Sequence, residues 1–168
     1  MTDDKPKSGV SPAETLGLLA AALQPIAPVP ATRAHLLGEL QSRERWTPWA
    51  ADVARVLHLP DSDALHALQQ IEERSAWRPG LWPNSSVLQT PALRAIQALI
   101  ARLPPDTRIP RHNHNTRELT FVLDGELIED DRCSYGPGEL VDMQIGSEHE
   151  LAVAGTGDCL VVFFLPQA

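Results

Sequence analysis

The chain has 168 residues, of which 43% are hydrophobic and 21% are charged, and its net charge is −8. A composition this close to the globular average excludes disorder of the whole chain, and the length fits one ordinary domain or two small ones. Two cysteines are too few for a disulfide scaffold, and the pattern predicts neither a membrane span nor a signal peptide. We therefore expect a cytoplasmic protein with no membrane partner.

The negative charge is concentrated in the C-terminal part of the chain. Residues 118–168 contain 11 Asp/Glu against Arg132 alone, whereas residues 1–117 contain 13 Lys/Arg against 11 Asp/Glu. An acidic region repels the phosphates of nucleic acids. The C-terminal part is therefore not expected to bind DNA or RNA.

Four helices are predicted in the N-terminal part, because leucine and valine residues recur there at helical spacing. The first two lie at about 12–24 and 32–44, the third starts at Thr47-Pro48, and the fourth runs from Asp61 or Ser62 to about Arg74. Ser11-Pro12 gives the first helix an N-cap and a proline at its first position.

The third and fourth predicted helices superficially resemble a DNA-binding helix-turn-helix. His58 and Pro60 occupy the turn, where glycine is usual. Asp61 would bring negative charge towards phosphate at the start of the second helix. We therefore expect a packed helical hairpin and no nucleic-acid partner.

From Arg78 onwards the pattern changes to short apolar runs between turn-prone residues, such as Pro79-Gly80, Pro104-Pro105 and Asp124-Gly125. Regular turn signals of this kind predict an antiparallel β-sandwich or β-barrel. Residues 93–103 fit a helix as well as a strand. The predicted fold is α+β, with a helical region at 1–78 and a β-barrel at 79–168.

Three of the six histidines lie in the β region and could share one metal ion. His112, His114 and Glu118 are spaced at i, i+2 and i+6, which on a single strand would place them on one face. Asp124-Gly125 would end that strand with a hairpin turn, and a neighbouring strand could add His149. Imidazole and carboxylate ligands suit zinc, iron, manganese or nickel.

These segments resemble the two motifs of the cupin barrel, G-x5-H-x-H-x3-E-x6-G and G-x5-P-x-G-x2-H-x3-N. The first would run from Asp106 to Gly125, and the second from Gly138 to Val153. Every spacing is kept; the departures are Asp106 for a glycine, Gln144 for the proline and Val153 for the asparagine. The resemblance covers about residues 85–168. It implies a double-stranded β-helix (jelly-roll) whose four metal-ligand positions are His112, His114, Glu118 and His149.

Within the cupins, the chain is similar to the C-terminal domain of ChrR-type anti-sigma factors. The similarity rests on Ile109-Pro110-Arg111-His112, Val122-Leu123-Asp124-Gly125 and Tyr135-Gly136-Pro137-Gly138. It implies one zinc ion and a sensory module that regulates transcription through a protein partner. Family members that hold a sigma factor carry an N-terminal H-x3-C-x2-C motif, but this chain has no cysteine before Cys133. Direct sigma-factor binding by that zinc-stabilised domain is therefore not carried over, whereas the cupin-type sensor, related to anti-sigma factors, is.

Two functions remain open from the sequence, beside a third outcome in which a metal-stabilised barrel only scaffolds a dimer. In the first, metal and small-ligand state alter a protein contact made by the helical region. In the second, the chain is an enzyme such as a dioxygenase or isomerase, with iron, manganese or nickel as Lewis acid or oxygen activator. An enzyme requires a base or a substrate anchor, and the candidates are Tyr135, Gln144, Arg111 and Arg117. Because cupins commonly pair, a homodimer is expected.

Other residues are expected to have ordinary structural roles. Four tryptophans should pack the helices against the barrel: Trp46, Trp49, Trp77 and Trp82. Three histidines lack partners at ligand spacing: His35, His58 and His66. An acidic cluster should form a solvated hairpin: Glu126, Glu129, Asp130 and Asp131. Cys133 and Cys159 lack the basic setting that favours a reactive thiolate.

Overall fold

The computed structural model describes residues 44–166. The helix predicted at about 12–24 lies outside this range, and so does the one predicted at about 32–44 apart from its last residue. Within the described range, helices come first and two antiparallel sheets follow, so the predicted α+β fold is confirmed.

Two helices precede the sheets. After a 3-10 turn at Thr47–Trp49, α1 spans Ala50–Leu57 and α2 spans Asp61–Gln69. Two further 3-10 turns follow at Gln70–Glu72 and Arg74–Ala76, so the predicted fourth helix is α-helical only over its first part. Within residues 44–166, every helix is too short or too polar to span a lipid bilayer.

A left-handed residue joins α1 to α2. His58 has a φ of 53°, and its N–H donates to the carbonyl of Ala54. This conformation is common where helices end and usually selects glycine. Leu57 and Leu68 are buried in a cluster shared by the two helices. The predicted helical hairpin is confirmed.

The remaining described chain forms ten strands and one short helix. The strands are β1 Trp77–Pro79, β2 Ser86–Leu88, β3 Ala98–Leu103, β4 Arg108–Asn113, β5 Glu118–Asp124, β6 Leu127–Glu129, β7 Cys133–Tyr135, β8 Leu140–Met143, β9 Glu148–Val153 and β10 Cys159–Phe164. The short helix α3, Pro91–Ala95, begins after Thr90, whose side chain accepts a hydrogen bond from the N–H of Leu93. The segment that fitted both patterns is therefore divided between a helix and a strand.

The strands form a six-stranded sheet in the order β1-β2-β3-β10-β5-β8 and a four-stranded sheet in the order β4-β9-β6-β7. From β3 onwards, every connection except that from β6 to β7 carries the chain from one sheet to the other. This alternation is the winding of a jelly-roll. It brings residues that are distant in sequence to the space between the sheets.

The central strands of the larger sheet, β3, β10 and β5, are buried on both faces. One face of β5 places Leu119 and Phe121 in a core shared with α1 and α2, whereas Val122 lies in a second core between the sheets. The same division separates Val162 from Val161 on β10. Burial on both faces explains why these strands are nearly continuous apolar runs.

Three of the four tryptophans pack in the helical layer, as expected. Trp46 donates to Glu72 over 2.8 Å, and Trp77 donates to the carbonyl of Ile71 over 2.9 Å. Trp49 meets the ring of Phe121 edge-on, with centroids 5.9 Å apart. Trp82 differs, because it lies against Phe163 on the side of the core between the sheets.

Candidate metal centre

The four predicted metal ligands come from three strands and one loop. His112 lies in β4, His114 follows the end of β4, Glu118 begins β5 and His149 lies in β9. The expectation that one strand carries the first three is wrong. Six residues of a strand cover about 20 Å, too far for one ion, so the chain must leave the smaller sheet and return on the larger one.

Strand pairing and one turn set the positions of the histidines. His112 lies directly opposite His149 in the pairing of β4 with β9. The backbone of His114 donates to the carbonyl of Ser147 over 3.0 Å, and the N–H of Gly146 donates to His114 over 2.8 Å. Gly146 has a φ of 81°, so the glycine of the second motif forms the turn that holds the loop histidine.

The result is a compact cluster of three rings and a carboxylate. The imidazole centroids of His112, His114 and His149 are 4.7–4.9 Å apart. One ligand atom from each of these residues and from Glu118 lies within 4.8 Å of all the others. His114 and His149 are buried, with side-chain exposures of 3% and 0%, and 18% of the Glu118 side chain is exposed.

Two of the histidines have one nitrogen held by an acceptor. His149 Nδ1 lies 2.9 Å from Glu129 Oε1, and His112 Nδ1 lies 2.9 Å from the carbonyl of Pro110. A carbonyl oxygen and an ionised carboxylate can only accept, so both Nδ1 atoms donate when Glu129 is ionised. Nε2 of each neutral ring is then left with a free lone pair, which is the form that binds a metal ion.

The buried Nε2 atoms of His114 and His149 have no hydrogen-bond partner among the described residues. Buried polar atoms are nearly always paired, since burial without a partner costs free energy. A divalent cation among these nitrogens and the Glu118 carboxylate would satisfy them. The cluster could therefore hold a metal ion.

Burial also sets the charge states of two of these side chains. Desolvation lowers the pKa of His114, which keeps its imidazole neutral, and raises the pKa of Glu118, partly offset by His114 and His112. A neutral imidazole is ready to bind a cation. A neighbouring cation stabilises the ionised form of a buried carboxylate more than it stabilises that of a solvated one.

Glu129 contacts the cluster through His149, although its acidic run predicts a solvated hairpin. Its side chain is 15% exposed; Oε1 accepts from His149 and Oε2 accepts from Tyr135 over 2.8 Å. A signal was present in the sequence. Leu127 is buried, and Glu129, two residues later on the same strand, must point to the same face.

Tyr135 is held as a hydrogen-bond donor. Burial and its hydrogen bond to Glu129 raise the pKa of Tyr135 to about 12. Its phenol therefore stays protonated near neutral pH. It supports the Glu129 carboxylate and does not act as a base.

The other candidate anchors are not brought to the cluster. Arg117 forms two hydrogen bonds to Asp142, of 2.8 and 2.6 Å, and Gln144 donates to the same carboxylate. Arg111 pairs with Asp130 over 2.7 Å. These are exposed surface contacts, and none of the three side chains lines the cavity described below.

The other histidines and the cysteines that the structure describes are not among the four clustered residues. His58 and His66 are exposed, whereas His35 lies outside the described residues. Cys133 is exposed and Cys159 is buried, and both are free thiols. Burial raises the pKa of Cys159 to about 12, which keeps it a thiol.

A cavity of about 420 Å³ adjoins the cluster, and His112 and Glu118 form part of its wall. Most of the wall is apolar and comes from β2, β3, β10 and the loop before β2. Two of the four candidate ligands are thus accessible to a small molecule.

Comparison with known proteins agrees with this architecture. The family model described as "Cupin domain" matches residues 99–165. A search of curated proteins with this sequence finds no match.

Several solved structures are similar in fold. The complex of Rhodobacter sphaeroides SigE with the anti-sigma ChrR has 20% identity and a TM-score of 0.48, covering 90% of this chain and 75% of that one. A predicted oxalate decarboxylase from Thermotoga maritima has 20% identity and a TM-score of 0.41, covering 48% and 80%. The polyketide cyclase RemF from Streptomyces resistomycificus has 18% identity and a TM-score of 0.43, covering 53% and 69%. At identities of this level, nothing about function follows from the likeness.

The matched range begins in β3, contains all four candidate ligands and ends just after β10. The two sheets have the jelly-roll winding that the motifs implied. Residues 99–165 of this chain are therefore a cupin domain.

Proposed function

We propose that His112, His114, Glu118 and His149 bind one divalent metal ion, with zinc expected and iron, manganese or nickel as alternatives. The observation that supports this proposal is the pair of buried, unpartnered Nε2 atoms on His114 and His149. Three neutral imidazoles and one carboxylate form a donor set that zinc accepts readily. When bound, the ion would supply positive charge, and a small ligand would bind by adding to these four residues or by displacing one of them.

We further propose that this cupin is a regulatory or sensory module, in which the helical region at 1–78 responds to the barrel at 79–168. The support comes from β5. Its first residue, Glu118, belongs to the metal cluster, and its residues Leu119 and Phe121 pack in the core shared with α1 and α2. A shift of Glu118 would therefore move the β5 residues that pack against α1 and α2.

On this proposal, the helical region contacts a regulatory protein whose affinity depends on the state of the metal centre. A homodimer is proposed from the pairing habit of cupins. Direct sigma-factor binding is not part of the proposal, because this chain has no cysteine before Cys133 and so lacks the H-x3-C-x2-C motif.

The second candidate is a metal-dependent enzyme acting on a small molecule, such as a dioxygenase or isomerase. The cavity that reaches His112 and Glu118 favours it. Among the described residues at the cavity wall, Glu118 and His112 are the titratable groups, and both are proposed ligands. An enzyme would have to take its proton acceptor from the ligand set or from a metal-bound group.

Hydrogen exchange on the full chain, metal-free and zinc-loaded, tests the regulatory proposal. We expect zinc to slow exchange in β4, β5 and β9 and also in α1, because α1 packs on β5. In the His112→Ala/His149→Ala variant zinc should change neither region, whereas the His66→Ala control should behave like the wild type. Protection confined to the three strands would leave the metal site standing and contradict the regulatory coupling.

A further inference from the structure

We propose that the cavity beside the metal cluster binds a small molecule with an apolar body and a single metal-coordinating group. This inference rests on the proposed metal site and specifies the class of its ligand. It excludes the oxygen-rich polyanions, such as dicarboxylates and phosphorylated sugars, that a bare metal centre would otherwise accept.

The walls of the cavity are mostly apolar. Val87 on β2, Leu99 on β3 and Phe163 on β10 face it, and Trp82 stands against Phe163 with ring centroids 6.1 Å apart. These four side chains are only partly buried although they border the core between the sheets. An apolar ligand would cover the surface that they leave open.

The cavity wall offers no positively charged side chain among the described residues. Among the described residues that line it, there is no lysine and no arginine, and Glu118 is negatively charged when ionised. A second anionic group on the ligand would have to be buried without a partner in an apolar space, which is costly. One coordinating group at His112 and Glu118, with the rest of the molecule apolar, meets both conditions.

The size and the opening agree with this ligand class. A volume of about 420 Å³ falls within the range of small-molecule pockets and is too small for a macromolecular segment with tertiary structure. Leu81 lines the cavity and is 90% exposed. An exposed leucine at this position offers further apolar contact to a ligand that enters there.

Calorimetry on the zinc-loaded full chain tests the proposal with hydroxamic acids, whose head group coordinates zinc. Acetohydroxamic acid carries the head alone, octanohydroxamic acid adds an apolar tail, and suberic acid monohydroxamate adds a similar tail that ends in a carboxylate. Each fully buried methylene favours binding by about fourfold. We expect octanohydroxamic acid to bind at least about 30-fold tighter than either of the others, since burial of only part of the tail suffices.

Substitutions locate the tail. Val87→Phe fills the cavity and should weaken octanohydroxamic acid by at least about tenfold, while zinc content and acetohydroxamic acid binding stay unchanged. Leu99→Phe, on the neighbouring strand, provides a second filling variant if the first does not fold. Ile145→Phe adds the same ring at a position that is 69% exposed and should change nothing.

The outcomes separate this inference from the metal site. If all three hydroxamic acids bind zinc-loaded protein equally, the metal site stands and the apolar ligand class is wrong. If the chain does not bind zinc, the metal proposal fails, and 1-octanol becomes the probe of the cavity. Binding of 1-octanol that Val87→Phe abolishes would then support the cavity, and failure to bind would overturn it.

Discussion

Two imidazoles of the cluster are oriented by a contact to Nδ1, and the third histidine is held through its backbone. The carbonyl of Pro110 accepts from His112, Glu129 accepts from His149, and the backbone of His114 is held by Ser147. The Nε2 atoms of His114 and His149 have no hydrogen-bond partner among the described residues, and one ligand atom of each cluster residue lies within 4.8 Å of the others. A preorganised donor set binds a metal ion more tightly than one that must first be ordered.

Glu129→Gln should weaken zinc binding by about 10- to 100-fold, the usual cost of removing a carboxylate that orients a histidine ligand. The amide oxygen can still accept from His149, but it lacks the negative charge that makes the imidazole a stronger donor. Competition with a chelator of known affinity measures the change. Glu126→Gln, an exposed position in the same hairpin, is the control. Wild-type zinc affinity in Glu129→Gln would show that this contact does not support the ligand.

At this scale the sequence was informative where a motif specifies spacing. The four candidate ligands follow a pattern of residue types, and the structure places them together. Glu129 is not part of that pattern, because its role depends on which side chains of the three-residue strand β6 point inward. An acidic run next to a turn is ordinarily solvated, and only the buried Leu127 beside it argues otherwise.

At the scale of elements, β5 is the link between the metal cluster and the helices. Its first residue lies at the cluster, and alternate residues beyond it pack beneath α1 and α2. Trp49, at the start of α1, meets Phe121 on β5 edge-on, and a Cβ added to Gly138 in the turn before β8 would lie 3.0 Å from its ring. The position of the helices is thus tied to the strands by aromatic packing.

Gly138→Ala should destabilise the fold by about 1–3 kcal/mol. Gly138 has a φ of 90°, and an added Cβ would lie 3.0 Å from Trp49 Cζ3, so both the backbone and the tryptophan would have to shift. Chemical denaturation of the full chain measures the loss. Gly155→Ala is the matched control, because Gly155 has a φ of 75° and a Cβ there meets nothing within 4 Å. Equal stability of the two variants would contradict the proposed contact.

The elements also show where pattern reasoning fails. The helical hairpin and the short strands follow from apolar spacing and turn residues, and the structure agrees. The spacing of His112, His114 and Glu118 predicts one strand, because every second residue of a strand lies on the same face. The chain instead leaves β4 before Glu118 and enters β5 there. Distance decides instead: residues on one straight strand separate by about 3.3 Å per residue, so one ion requires the chain to turn.

At the scale of the whole molecule, a jelly-roll encloses an apolar cavity with polar ligands at one part of its wall. This arrangement suits recognition of a small molecule, in which the proposed metal ion would fix one group and the cavity would select the rest. The fold class followed from the sequence because motif spacing and turn signals agree. The cavity could not be anticipated, since its walls combine β2 and β3 with β10, which lies far from them in the chain.

The metal content of the full chain, purified without chelator or affinity-resin metal, tests the central claim most directly. We predict about one zinc ion per chain, loss of that ion in His112→Ala/His149→Ala, and its retention in His66→Ala. Iron, manganese or nickel in the same amount would keep the site and favour the enzyme. A wild-type chain without metal, or a double variant that retains a full equivalent, would contradict the account.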